Sequence, residues 1–378
     1  MKKNQLVTLG KHIDILSGCA FPSSGFNRNN GVPLIRIRDI LSGKTETYYE
    51  GSYDLKYLIK KGDLLVGMDG DFNREYWKGT DALLNQRVCK ITPNPETLDK
   101  NFLYHFLQKE LDKIHATTDV VTVKHLSVKK IQDIKIRLPS LKEQKRIATI
   151  LDKADAIRQK REQAIKLADD FLRAKFLEMF GTPANNIHRF PKGTIRDLVD
   201  SVNYGTSAKA SIDSGEYPIL RMGNITYQGR WDFTDLKYLD LSVKEKDKYL
   251  VKEGDLLFNR TNSKELVGKT AVYEEDRPMA FAGYLIRVRP NSIGNNYYIS
   301  GYLNSIHGKI TLMNMCKSIV GMANINAQEL QNIEILIPPK HLQDEYEIIY
   351  KKIKKGLSIY DKSAMQLQLL ASNLSNKY

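Results

Sequence analysis

Arginine, asparagine, glutamine and lysine side chains recur in short, turn-rich stretches of this chain, and their types suit the edges and backbone of a nucleic acid. A guanidinium fork matches the two acceptors of guanine, an amide matches adenine, and Lys or Arg neutralises phosphate. Arg36 and Arg38 stand in one such stretch, and Arg221 and Asn224 occupy the same place in the second half. Asp69, Asp71, Asn73 and Arg74 follow a Gly-Asp-Leu-Leu string, as do Asn259, Arg260, Thr261, Asn262, Lys264 and Lys269. Gln86 and Arg87 lie in a further stretch, with Tyr284 and Arg287 in a similar place. A last group holds Thr122, Lys124, His125 and Lys129, set against Lys317, Ser318 and Asn324. A single arginine at a strand edge is ordinarily only solvated. The expectation of base reading therefore rests on the clusters, with Lys264 and Lys269 expected at phosphates.

The charge balance points the same way. The chain has 378 residues, with 58 Lys and Arg against 44 Asp and Glu, a formal charge of +14. Such a surplus favours a polyanionic partner through counterion release. A Lys-rich but merely solvated surface is the alternative. Cys19, Cys89 and Cys316 lie far apart with no CxxC pair, which argues against a disulfide framework or zinc ribbon. The N-terminus turns polar before an apolar run forms, and no stretch is apolar enough to span a bilayer. A soluble, cytoplasmic protein without membrane contact is expected.

Signatures of catalysis are missing. An adenine methyltransferase needs a Gly-rich cofactor loop and an Asn/Asp-Pro-Pro-aromatic motif, and the strings Phe281–Tyr284 and Thr92–Glu96 fit neither. Ser263-Lys-Glu-Leu-Val-Gly-Lys-Thr270 mimics a P-loop, but Ser263 stands where the first glycine belongs. The histidines show no metal-ligand spacing. No cofactor or metal is expected in this chain.

What positions these residues is a repeat. YLIKKGDLL at Tyr57 returns as YLVKEGDLL at Tyr249, PLIRIRDI at Pro33 as PILRMGNI at Pro218, and IQDIKIRLP ending at Pro139 as LQNIEILIP ending at Pro338. The landmarks keep their order, which means duplicated domains with unequal loops. Alternation in PLIRIRDI predicts a half-buried strand, and KKGDLL and KEGDLL predict a turn followed by a buried strand. Residues 101–115 and 297–310 read as a helix crossing each core. Each half is an α+β globule, and each is followed by a long helix-forming run. Residues 140–180 contain no Pro or Gly, and Gly181 and Pro183 stop the run. A second run, from His341 to Tyr378, carries a heptad seam through Tyr346, Tyr350, Ile353, Leu357, Tyr360, Ala364, Leu367, Ala371 and Leu374. The first helix shows a broader stripe through Ile147, Leu151, Ala154, Ile157, Ile165, Ala168, Leu172 and Phe176. These features predict two repeated mixed α/β domains, 1–139 and 182–339, separated by an antiparallel coiled-coil pair of long helices, 140–181 and 340–378.

A chain built as globule, LPSLKEQKRI, long helix, globule, IPPKHLQDEY, long helix resembles the specificity subunits of type I restriction–modification systems. Pro139, Glu143, Gln144 and Ile147 meet that family's strand-end and helix-start motif, and Lys175 to Gly181 is similar to its central region. The second copy keeps Gln343 but has Leu342 in place of the Glu. The resemblance implies target-recognition domains that each read half of a bipartite double-stranded DNA site. It also implies helices that act as a ruler and as docking surface for two modification subunits, with restriction and translocase subunits joining the complex. S-adenosylmethionine, ATP and Mg would then be bound only by those partners. Read from the residues alone, an enzyme (a methyltransferase or nuclease with an unrecognised site) and an RNA-binding repeat protein stay open as alternatives.

Overall fold

A computed structural model describes residues 5–118, 124–319 and 322–377, with side chains described except at 5, 317–319, 322, 359–368, 370–372 and 375–377. The chain divides into two compact units, residues 1–161 with 362–378, and residues 162–361.

In the first unit the opening strand β1 (Gln5–Thr8) pairs antiparallel with the closing strand β8 (Lys135–Leu138). Between them, β2 (Ile13–Ser17), β7 (Val88–Pro93), β4 (Leu64–Gly67) and β5 (Arg74–Tyr76) form an antiparallel sheet in that spatial order. A smaller sheet places β3 (Val32–Ile35) parallel to β6 (Ala82–Leu84). Helix α1 (Lys100–Ala116) starts at Asp99, whose carboxylate accepts from the Asn101 and Phe102 amides. It buries Phe102, Leu103, Leu107 and Leu111 against Val66, Ile91 and Ile136. Helix α2 (Val128–Gln132) precedes β8.

The second unit repeats this plan. β9 (Lys192–Thr194) pairs with the closing β18 (Glu334–Leu336). The main sheet runs β10 (Val199–Tyr204), β16 (Leu285–Pro290), β12 (Leu256–Asn259), β14 (Thr270–Val272), and β11 (Tyr217–Leu220) lies parallel to β15 (Ala280–Phe281). β13 (Thr261–Asn262) pairs with β17 (Met322–Asn324). The strings ending in Gly-Asp-Leu-Leu therefore form a glycine turn, φ +92° at Gly62 and +88° at Gly254, feeding a central buried strand.

Two sequence expectations change. PLIRIRDI is not one strand: it leaves the sheet at Ile35 and turns through Ile37–Asp39, because the Asp39 carboxylate accepts from the Arg36 amide at 2.9 Å. The helix expected over 297–310 is two, α4 (Asn296–Asn304) and α5 (Ile306–Met315). Ser305 between them is extended, and its hydroxyl caps the Gly308 amide at 3.0 Å, so a new helix starts where the old one would have continued.

Helix α6 (Ala327–Gln331) precedes β18, and the two long helices are α3 (Leu141–Phe180) and α7 (Lys340–Lys377), the latter running unbroken through Gly356. In the first unit Ile147, Ala148 and Leu151 of α3 enter the core. In the second, Phe176 and Phe180 of α3 meet Tyr346 of α7 with ring centroids 5.3 and 5.9 Å apart. Gly301 of α4 lies so close to Phe176 and Tyr346 that a Cβ would stand 2.6 Å from the Phe176 ring. Both ends of α3 and the start of α7 are thus parts of a globule's core. Of the predicted α7 seam, the side chains of Tyr360, Ala364, Leu367 and Ala371 lie outside the described residues.

The glutamine shared by both helix starts has a clear structural task. Gln144 is fully buried; its amide nitrogen donates to the Pro139 and Thr97 carbonyls at 2.9 Å, and its oxygen accepts from the Asp99 amide at 2.8 Å. Gln343 donates likewise to Pro338 and Ile293 at 2.8 and 3.0 Å. Each glutamine ties closing strand, long helix and the loop before the crossing helix into one joint. Glu143, where the second copy has Leu342, meets Arg146 at 2.7 Å.

Candidate nucleic-acid interface

Three segments meet at the end of each central strand, held by the same main-chain bonds. In the first unit the Met68 amide donates to the Arg87 carbonyl at 2.9 Å, and the Leu126 amide donates to the Met68 carbonyl at 2.7 Å. In the second, Arg260 donates to Tyr284 at 3.0 Å and accepts from Ile325 at 2.9 Å. The turn before the last sheet strand is also shared, Val88 to Asn85 and Leu285 to Ala282. These bonds make Met68 the counterpart of Arg260, Arg87 of Tyr284, and Leu126 of Ile325. The bridge between Asp69 and His125 then corresponds to the pair Thr261 and Asn324.

On this framework the first unit sets Arg87 3.2 Å and His125 2.6 Å from the two oxygens of Asp69. Gln86, beside Arg87 at the turn tip, is exposed. The Lys124 ammonium is engaged by the His115 carbonyl at 2.7 Å, and the Lys124 carbonyl accepts from Gly70. The loop is fixed from below by Phe72, fully buried at φ +50°, with its ring edge-on to His115. A non-glycine residue in that region costs ~1 kcal/mol or more, offset here by burial of the ring. Arg74 lies apart from the cluster: its guanidinium stacks 3.5 Å over Tyr104, itself stacked on Tyr76, and its amide donates to Gln108. Asn73 accepts the Gly67 amide through its main chain.

The second unit carries Arg260 with its guanidinium 5.0 Å over the Tyr204 ring, beside exposed Tyr284 and Asn324. Asn262 is half-buried and accepts the Ser263 amide. Lys264 is exposed in the turn that follows. Arg36 and Arg38 are exposed, and Arg221, the counterpart of Arg36, pairs with Asp235 at 2.8 Å.

Four expected reading residues are interior. Asn224 corresponds to Asp39, not to Arg38: its oxygen accepts the Arg221 amide at 2.8 Å and its nitrogen donates to the Asp232 and Asp235 carbonyls. Asn259 is fully buried at the end of β12. Lys269 is buried, donates to the Met222 carbonyl at 2.7 Å, and has its pKa lowered by desolvation. Arg287 is 4% exposed and is the counterpart of Lys90, not of Arg87: it donates to the Leu250 carbonyl at 3.0 Å and lies 3.9 Å from Asp255. Burial and the neighbouring Arg289 charge lower its pKa. These side chains hold the fold and present no donor to a groove. Thr122 lies outside the described residues, as do the side chains of Lys317 and Ser318. Tyr204 escaped the sequence-based choice of reading residues, and Asp69 and His125 stood there only as members of two separate clusters, since only the fold brings them into contact with each other.

The P-loop-like string leads from a turn at Ser263–Leu266 into strand β14, so its Lys-Thr pair stands at the start of a strand and not at a helix N-terminus. Among the described residues, no group of three His, Cys, Asp or Glu is placed to hold a metal, and no helix is long and apolar enough to cross a membrane.

The family described as "Type I restriction modification DNA specificity domain" matches residues 1–167 and 190–371. The chain belongs to this family. It is 30% identical to the EcoBI specificity subunit of Escherichia coli, over 98% of this chain and 82% of that one. It is 23% identical to the EcoKI specificity subunit of E. coli K12, over 92% and 80%. The crystal structure of an S subunit from M. genitalium aligns over 100% of this chain and 96% of that one, with a TM-score of 0.66 at 15% identity, which shows a shared fold. As a type I specificity subunit the chain is a non-catalytic component that recognises target DNA within a restriction–modification complex. In this family cofactors are typically bound by the partner subunits.

Proposed function

We propose that the two units read the two halves of a bipartite double-stranded DNA target, each through the side chains mounted at the end of its central strand. The observation that carries this is the shared main-chain framework with unlike side chains: Asp69, Gln86, Arg87 and His125 on one, Arg260, Thr261, Tyr284 and Asn324 on the other. A duplicated frame with different side chains is what two different half-sites require. Arg36, Arg38, Asn73, Lys124, Arg221, Asn262 and Lys264 surround these groups as positioning and phosphate contacts.

In this reading residues 1–139 and 182–339 are the target-recognition domains, and 140–181 and 340–378 set the half-site spacing. The helical segments also dock two modification subunits, which bring S-adenosylmethionine and methylate the target; restriction subunits bring ATP and Mg. Exposed Leu167 and Phe171 on α3 suit such docking. Replacing Arg260, Asn262 and Tyr284 together by Ala tests the division. Methylation mapping of the complex should show one half-site relaxed, by about 10-fold or more per lost base contact, and the other unchanged. Equal relaxation of both half-sites would refute it.

A further inference from the structure

The first unit's strand end contains a group whose geometry favours one base. Arg87 is exposed yet held by a carboxylate: one terminal nitrogen sits 3.2 Å from Asp69 Oδ2, while its side chain stays 54% exposed. Asp69 is itself held. It is 20% exposed, its other oxygen is taken by His125 at 2.6 Å, and the neighbouring main chain is clamped by Gly70 to Lys124 and Leu126 to Met68. Buried Phe72 anchors the loop that carries it.

A guanidinium held this way has lost much of its rotamer freedom before binding, and its planar fork keeps further donors for a ligand. In the major groove only guanine offers two acceptors, N7 and O6, on one base edge spaced for that fork. The carboxylate also offsets the positive charge locally, which suits a base edge and disfavours a phosphate. In the second unit Thr261 stands where Asp69 is, Tyr284 where Arg87 is, and Asn324 where His125 is, so the device has no copy there.

We infer that Arg87, oriented by Asp69, reads a guanine in the half-site bound by the first unit, with Asp69 as its positioning residue. This rests on the bipartite reading above. The test uses the full chain in complex with its modification subunit and duplexes carrying each base pair at every position of the mapped target. The unaltered complex should prefer G·C at one position of one half-site by roughly 5- to 150-fold, the range of a bidentate contact. R87A should flatten that position alone and leave the dependence of affinity on salt nearly unchanged. D69N should weaken the same preference, and the double variant should be no worse than R87A. Y284A should leave the position untouched.

Two results would overturn the inference: an R87A profile unchanged at every position, or a uniform loss with a shallower salt dependence, which marks a phosphate contact. In each of these cases the bipartite reading survives. An unaltered complex with no sequence preference would overturn both.

Discussion

The two units hold the same acidic residue at the same turn and do different things with it. Asp63 and Asp255 each close the glycine turn by accepting a main-chain amide three residues back, Lys60 and Lys252, at 2.9 Å. In the first unit Asp63 faces Lys90 at 3.1 Å, with about a quarter of each side chain exposed. In the second, Asp255 is 5% exposed and takes Arg289 in a two-bond fork at 2.7 and 3.0 Å, with buried Arg287 3.9 Å away. A turn acid has become the centre of a buried charge cluster. The difference teaches that a repeated string fixes the local bend while the cross-strand neighbours decide its energetic weight.

Removing the two acids separates these weights most sharply. D255A leaves two guanidinium groups without their carboxylate, and breaking a buried pair in this way costs about 3–5 kcal/mol. D63A should cost about 1 kcal/mol, the scale of a partly exposed pair plus a turn bond. Urea unfolding of the full chain, followed by probes in each unit, reads both. Equal losses would show the second cluster to be no more than the first.

A smaller effect distinguishes Lys264 from Lys269, which the sequence places together. Lys264 is exposed and Lys269 is buried on the Met222 carbonyl. K264A should weaken binding to all sequences and reduce the log–log salt slope by about 0.9, one phosphate's worth. K269M should leave that slope alone and change thermal stability instead. A reduced slope in K269M would return Lys269 to the DNA surface.

The smallest expected effect concerns Lys113 and Lys309, equally far from the helix caps Asp99 and Asn295. Lys113 is exposed and pairs with Glu110 at 2.6 Å. Lys309, carried onto α5 by the break at Ser305, has its pKa pushed down to about 8 by burial, then by the charges of Arg173 and Lys269. Its folded pKa lies below the ordinary 10.5, so between these values the unfolded chain binds more protons and stability gains from rising pH. The stability of the native chain relative to K309M should therefore improve as pH goes from 8 towards 10.5. A flat difference for K309M would discount the burial effect.

The repeat, the strand after each Gly-Asp turn and the two long helices were legible in the sequence because each depends on local pattern: glycine at positive φ, recurring strings in a fixed order, and long apolar-periodic runs with no Pro and at most one Gly. The helix break at Ser305 was not, since a serine inside an apolar-periodic run caps or continues a helix according to what packs beside it. The glutamine of the helix start was visible as a motif, but only the fold places Pro139, Thr97 and Asp99 around one buried amide.

The candidate site divides in the same way. Sequence alone marked the stretches after each central strand as rich in reading chemistry. It could not separate Arg87 from Arg287, or Lys264 from Lys269, because an arginine or lysine on a strand or turn has the same local signal in or out of the core. Tertiary structure made that choice by cross-strand register: β16 aligns Arg287 with Leu257 on the buried centre of its sheet, while the turn before β7 lifts Arg87 clear and the loop after β4 delivers Asp69 beside it. Local pattern is written in neighbouring residues; burial and pairing arise from segments far apart in the chain, and only folding brings those together.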